Sequence, residues 1–199
     1  NLIIAKIVNI ENISRLFNQA GLEMEEVVFS GFAASLAVLE QREKQNGCVL
    51  VDIGADITQI LIFKEGELQT LYLLDYAGNN ITKAVSGVLS LPEDLAEEIK
   101  DSHGTAMLGD IDESEEVMIK KDGAYQPVKR RAIAGVIEPE VSQLFMRLKE
   151  KIESSPHLKT GNYSVVMVGG TSLLEGLLEL AESILGVKVR LGIPKAQLP

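Results

Sequence analysis

Apolar positions along the chain switch between two periods. From 10 to 20 they fall at Ile10, Ile13, Leu16 and Phe17, the spacing of an amphipathic helix, and Gly21 follows as a stop. A short strand is expected over 26–29. The small-residue run "FAASLAVL" at 32–39 predicts a closely packed helix, and a charged loop, "EQREKQNG", follows it. Three apolar runs with strand character come next, at 48–53, 59–64 and 68–74, and "KEGE" at 64–67 sets a Gly at the tip of a hairpin turn. A helix is expected over 81–89. In "LPEDLAEEIKDSHG" a second one has Pro92 in its first turn, acids crowding its start and Gly104 at its end. The stretch 110–126 is acidic, then strand-like about a "KKDGAY" turn, which predicts a small exposed hairpin. The helical period returns at Ile133, Val136, Ile137, Val141, Leu144, Phe145 and Leu148, predicting a long helix over 131–154 that Pro139 kinks or whose true start it marks. A strand at 164–168, a turn at Gly169-Gly170-Thr171, a helix at 173–185 and a strand at 187–191 close the pattern.

This order of strands and helices is mixed α/β. The chain has 199 residues, one large domain or two small ones, and 46% hydrophobic residues supply a core. Charge changes the picture more. With 19 basic and 29 acidic residues the net charge is -10, which argues against binding a nucleic-acid backbone. The single cysteine, Cys48, excludes an internal disulfide and reads as a small buried hydrophobe. His103 and His157 have no Cys or second His at ligand spacing. No run approaches the ~20 apolar residues of a membrane-spanning helix and no signal peptide is visible, so a cytoplasmic protein is expected. The opening "NLIIAKIVNI" is apolar at once and lacks an initiator Met, so a piece of a longer chain is expected.

Four stretches carry candidate chemistry. In "DIGADIT", Asp52 ends a strand and Gly54 follows. That design suits nucleotide phosphates: Gly admits close backbone approach, successive N–H groups form an anion nest, Asp52 holds Mg²⁺ through water, and Thr58 adds a hydroxyl. It is equally the corner of a hairpin. In "VVMVGGTSLLEG" a strand enters Gly169-Gly170 and a helix leaves, which can receive an adenosine or a phosphate, or can be a tight turn capped by Thr171 or Ser172. Glu97 and Lys100 lie three apart on one helical face, where they grip a ribose or make a solvent-exposed ion pair. "YAGNNIT" at 76–82 is a helix cap or a backbone approach to a ligand.

Taken in order, "NQAGLEMEEVVFSGFAASLAVL", "LVDIGADITQILIFKEGEL", "AGNNIT", "AEEIKDSHGTA", "VIEPEVSQLF" and "VMVGGTSLLEGLLELAESILGVKVRLGIP" resemble the actin/sugar-kinase/Hsp70 ATPase superfamily, and within it the bacterial cell-division FtsA family. The resemblance implies an RNase H-like α/β fold with a mixed sheet. It implies ATP with Mg²⁺ in a cleft between two halves, of which this chain is similar to the second. Residues 1–78 and 129–199 would form the RNase H-like subdomain, 2A, and 79–128 an inserted small lobe, 2B. Asp52, Gly54 and Thr58 match the second phosphate loop, with Asp52 toward the metal. Gly78 and Asn79 match the turn opening the next subdomain, Glu97 and Lys100 the helix that contacts ribose and base, and Gly169, Gly170 and Thr171 the adenosine loop. The family also implies self-association into filaments, the tubulin-like ring protein FtsZ as partner, and membrane attachment at the inner face of the cell membrane through a segment not in this sequence. A PilM-like pilus-assembly scaffold shares "DIGA" and stands as the alternative, with a sugar or metabolite kinase behind it. Ala55 and Asp56 stand where the family has glycines, and Asp56 would bring a carboxylate near phosphates. The expectation is nucleotide binding, weakened, without efficient hydrolysis.

Overall fold

The computed structural model describes residues 6–121, 123–158 and 162–194. Residues 1–5 of the apolar opening, Asp122 in the expected hairpin turn and 195–199 lie outside the described residues. A five-stranded sheet runs in the order β3-β2-β1-β6-β7: β1 is Cys48–Ile53, β2 Thr58–Lys64, β3 Glu67–Leu74, β6 Ser164–Val168 and β7 Val189–Leu191. β1, β2 and β3 form an antiparallel meander, while β6 lies parallel to β1 and β7 parallel to β6. This is the mixed sheet expected of an RNase H-like fold.

Alternation along β1 divides the core. Val49, Val51 and Ile53 point to one face, where Ile133, Ile137, Val141, Leu144, Phe145 and Leu148 of α6 (Arg130–Glu153) cover them together with α4 (Gly78–Leu89) and α7 (Leu177–Leu185). Cys48 and Leu50 point to the other, with Leu61, Phe63 and Val166, beneath Val38 and Leu39 at the end of α2 (Ser30–Val38). Burial on both faces is why β1 is a continuous apolar run. It also pushes the Cys48 thiol up to about 12, so Cys48 behaves as the buried hydrophobe expected.

α6 passes through Pro139 without a break; the residue whose carbonyl the ring crowds, four back, is Gly135, which adds no side chain to the crowding. α5 (Glu93–His103) packs on α4. The hairpin of β4 (Glu116–Lys121) and β5 (Ala124–Lys129) forms a separate two-stranded sheet that leads directly into α6.

Four expectations change. The charged run after α2 is not a loop but α3 (Gln41–Asn46), nucleated by reciprocal capping between Glu40 and Glu43. The helix expected from 173 begins at Leu177; Gly170–Leu173 is a 3-10 turn, and Gly176 at φ 74 separates the two. The last strand is shorter than 187–191. The segment 26–29 pairs with no strand among the described residues. It follows α1 (Ile7–Gln19), a helix with no buried residue, on which Ile7 and Leu16 are 68% and 64% exposed.

Candidate functional site

Three loops converge where β1 and β6 end. The turn after β1 offers the Gly54 carbonyl, which accepts from the Thr171 hydroxyl at 3.0 Å and from the Gly78 N–H at 3.0 Å. The Ala55 carbonyl accepts from the Asn79 N–H at 2.7 Å. With its carbonyls turned toward α4 and the 170–173 turn, the loop leaves the N–H groups of Ala55, Asp56 and Ile57 without an acceptor among the described residues. Consecutive free amides in an exposed turn are an anion nest. Two glycines make the convergence possible. A Cβ on Gly78 would lie 2.5 Å from the Thr171 hydroxyl, and one on Gly169, at φ +91, would lie 2.4 Å from the Ile53 carbonyl.

Asp52 sits at this junction, half-buried near the end of β1. Burial pushes its carboxyl above the usual carboxylate range, and among the described residues it accepts no hydrogen bond. The other polar groups of the loop are engaged. Thr58 is buried and its hydroxyl donates to the Tyr76 carbonyl at 2.7 Å, facing away from the turn. The Asp56 carboxylate accepts from the Asn79 side-chain amide at 2.7 Å, which holds that negative charge against the start of α4.

Glu97 and Lys100 make an ion pair in which Lys100 is buried while the Glu97 side chain stays 43% exposed. Lys100, 4% exposed, donates to Glu97 at 2.7 Å and to the Thr82 hydroxyl at 3.2 Å, and the Thr82 hydroxyl donates to Glu97 in turn. Burial raises the Glu97 carboxyl, but hydrogen bonds from Lys100 and Thr82 and the Lys100 charge outweigh it and leave it below the usual range. Glu97 is therefore expected to contribute stability that is fully present above the unfolded carboxylate value of about 4.3 and fades as pH falls below it. Acid titration of the thermal midpoint should show a smaller drop in Glu97→Gln than in the parent; equal drops would remove Glu97 from the acid response.

Between these groups lies a cleft of about 410 Å³ lined by Gly54, Ala55, Glu97, Lys100, Asp101, Gly170, Thr171, Leu173 and Leu174. The fold thus brings Gly54, Glu97, Lys100, Gly170 and Thr171 onto one wall. Asp52, Thr58, Gly78, Asn79 and Gly169 are not on that wall; Thr58, Gly78, Asn79 and Gly169 buttress it from behind. Sequence reasoning passed over Leu173, 71% exposed at the mouth, because an apolar residue before a helical period reads as core. Among the described residues no group of three or more His, Cys, Asp or Glu is placed to hold a metal by itself. No helix of the described residues is long and apolar enough to cross a membrane.

The family described as "Cell division protein FtsA" matches residues 49–198. A cell division protein FtsA from Pseudomonas aeruginosa is 33% identical over 186 residues, which cover 92% of this chain and 45% of that protein. The chain spans about half the length of the curated relatives it matches. In fold it is similar to MreB5 of Spiroplasma citri bound to ADP, with TM-score 0.75, 16% identity, and 95% of this chain and 61% of that one covered. It is likewise similar to a PilM–PilN type IV pilus biogenesis complex, with TM-score 0.70, 20% identity, and 92% and 46% covered.

Proposed function

The chain belongs to the FtsA family of cell division proteins, and from that premise we propose that it is one half of an actin-like scaffold and supplies one wall of a Mg–ATP site. The observation that carries this reading is Asp52, a half-buried carboxylate with no hydrogen-bond partner among the described residues, beside a turn whose Ala55, Asp56 and Ile57 amides have no acceptor there either. A carboxylate left without compensation in a partly buried position costs stability unless a cation completes it. Bound Mg²⁺ would neutralise phosphate oxygens there and keep most of its water, with Asp52 as the protein ligand.

The remaining roles follow from placement. The amides of Ala55 to Ile57 and the backbone at Gly54 and Gly170 meet phosphate oxygens. Glu97 and Lys100 face the ribose, and Thr171 closes the loop onto Gly54. Thr58, Gly78, Asn79 and Gly169 hold the converging loops in register. Asp56, tied to Asn79, lowers affinity by less than its charge alone implies. Residues 1–78 and 129–199 serve as the RNase H-like subdomain and 79–128 as its inserted lobe. ATP drives self-association into filaments with little turnover, the tubulin-like FtsZ binds as partner, and the full-length protein attaches to the membrane from the cytoplasm.

A PilM-like role is favoured by one observation, the fold similarity to the PilM–PilN complex together with "DIGA" at 52–55. The partner test separates the two. A peptide of the FtsZ C-terminal tail, immobilised, should retain a chain of the relatives' full length; no retention would move the reading to the pilus type.

A further inference from the structure

One ion pair outside the cleft joins the loop that lines it to the hairpin that stands apart from the sheet. Glu175 follows the cleft-lining Leu173 and Leu174. Its carbonyl accepts from the Ala106 N–H at 2.8 Å and from the Thr105 hydroxyl at 3.2 Å, on the connection leaving α5. Its carboxylate takes Nη2 of Arg130 at 2.6 Å. Gly176, next along, presses on the same connection: a Cβ there would lie 2.4 Å from Met107 Cγ. Arg130 opens α6 directly after β5. Its Nη1 donates to the Glu115 carboxylate at 3.1 Å, just ahead of β4, and its Nε donates to the His103 carbonyl at 3.1 Å. Its own N–H closes the base of the hairpin onto the Glu115 carbonyl at 3.0 Å. The Arg130 side chain is 19% exposed, so these bonds are partly shielded from water. A guanidinium has a rigid fork, and holding three acceptors at once fixes their mutual geometry.

We propose that Arg130 is a positioning residue for the nucleotide: through Glu175 it holds the 170–174 loop in the shape that lines the cleft, and through Glu115 it ties that loop to the β4–β5 hairpin. The proposal rests on the nucleotide reading above and deepens it with a route of regulation. Linkage is reciprocal, so whatever orders the hairpin raises nucleotide affinity by the factor with which nucleotide orders the hairpin. The route is one contiguous set of bonds, and Arg130's two ionic contacts are its charge-assisted links.

Amide hydrogen exchange on a chain of the relatives' full length, with and without Mg–ATP, tests it. Without nucleotide, Glu175→Gln, a change at an exposed carboxylate, should speed exchange of amides in 117–128 about threefold, the size of a partly exposed ion pair. With Mg–ATP, the parent should slow exchange both in 170–174 and in 117–128. Glu175→Gln and Glu115→Gln should keep the slowing in 170–174 and lose it in 117–128. Arg130→Lys, which retains charge but not the fork, should fall between. Slowing in 117–128 that survives both variants would overturn the proposal. If the parent responds to Mg–ATP nowhere, the nucleotide reading fails, and the nucleotide-free comparison still decides whether Arg130 couples loop to hairpin: unchanged exchange in Glu175→Gln sinks it.

Discussion

Asp52→Asn is expected to lose Mg–ATP binding and, without nucleotide, to melt at a higher temperature than the parent. Both effects come from one carboxylate. Its pKa is raised by burial, so the folded state penalises the charged form. Below the unfolded value of about 3.9 the group is protonated in both states and no penalty exists. As pH rises the unfolded chain ionises first and stability falls, and the full penalty is present once the folded group has ionised. At neutral pH the Asn variant avoids that penalty. The midpoint of the Asn variant is therefore expected to lie above the parent's at neutral pH. The advantage should vanish near pH 3. In a chain of the relatives' full length, Mg–ATP should raise the parent's midpoint by mass action and leave the variant's unchanged. The loss in affinity should be at least the roughly 10–100-fold that even an outer-shell partner of a metal is worth. Calorimetry and thermal scans across pH read both; a variant that binds Mg–ATP as the parent does removes Asp52 from the metal site.

Gly169→Ala and Gly170→Ala should part sharply, although the residues are neighbours. At Gly169 the backbone is left-handed and an added Cβ meets the Ile53 carbonyl at 2.4 Å, an atom fixed at the end of β1. Backbone strain and overpacking add there, about 3–5 kcal/mol in all, a fall in the midpoint on the order of 10 °C. At Gly170 nothing lies within 4 Å of the added atom, so stability should hold within about 0.5 kcal/mol. That space belongs to the cleft, so Gly170→Ala should weaken Mg–ATP binding in a chain that folds normally. Equal midpoints for the two variants would show that β1 and the 169 loop do not meet as described.

The sheet was legible because burial on two faces writes long apolar runs at 48–53 and 59–64, and α6 because its apolar residues keep one helical stripe from Ile133 to Leu148. Where the sequence misled, a competing local signal won. The run 41–46 has no apolar stripe, yet Glu40 and Glu43 cap each other and make it helical. Leu173 and Leu174 extend the apolar stripe of α7 backward, and only the left-handed Gly176 stops the helix there. Strand character at 26–29 is a property of its side chains, whereas a ladder needs a partner. In the site, the order of the loops was readable and the use of each side chain was not. Thr58 and Asn79 carry the polar groups a ligand would want, but Tyr76 and Asp56 claim them, and that depends on which groups a fold brings within 3 Å. The burial of Lys100 was hidden for the same reason, since Thr82 arrives from another helix.

The register of the sheet also fixes when the site comes into being. β1 lies in the middle, with β2 beside it in sequence, but its other neighbour, β6, is separated from it by α4, α5, the hairpin and all of α6. On the ribosome the meander β1-β2-β3 can pair at once, while the far edge of β1 stays open until α6 and β6 have been made. That edge carries Cys48 to Asp52, which pair with β6 when it arrives, so until then a sticky edge waits open. Asp52 has its place along β1 from the start, whereas Gly169 and Thr171 reach it only after β6 docks. The converging loops are thus assembled only once β6 has been made, and a nucleotide that favours them would pull that step of folding forward.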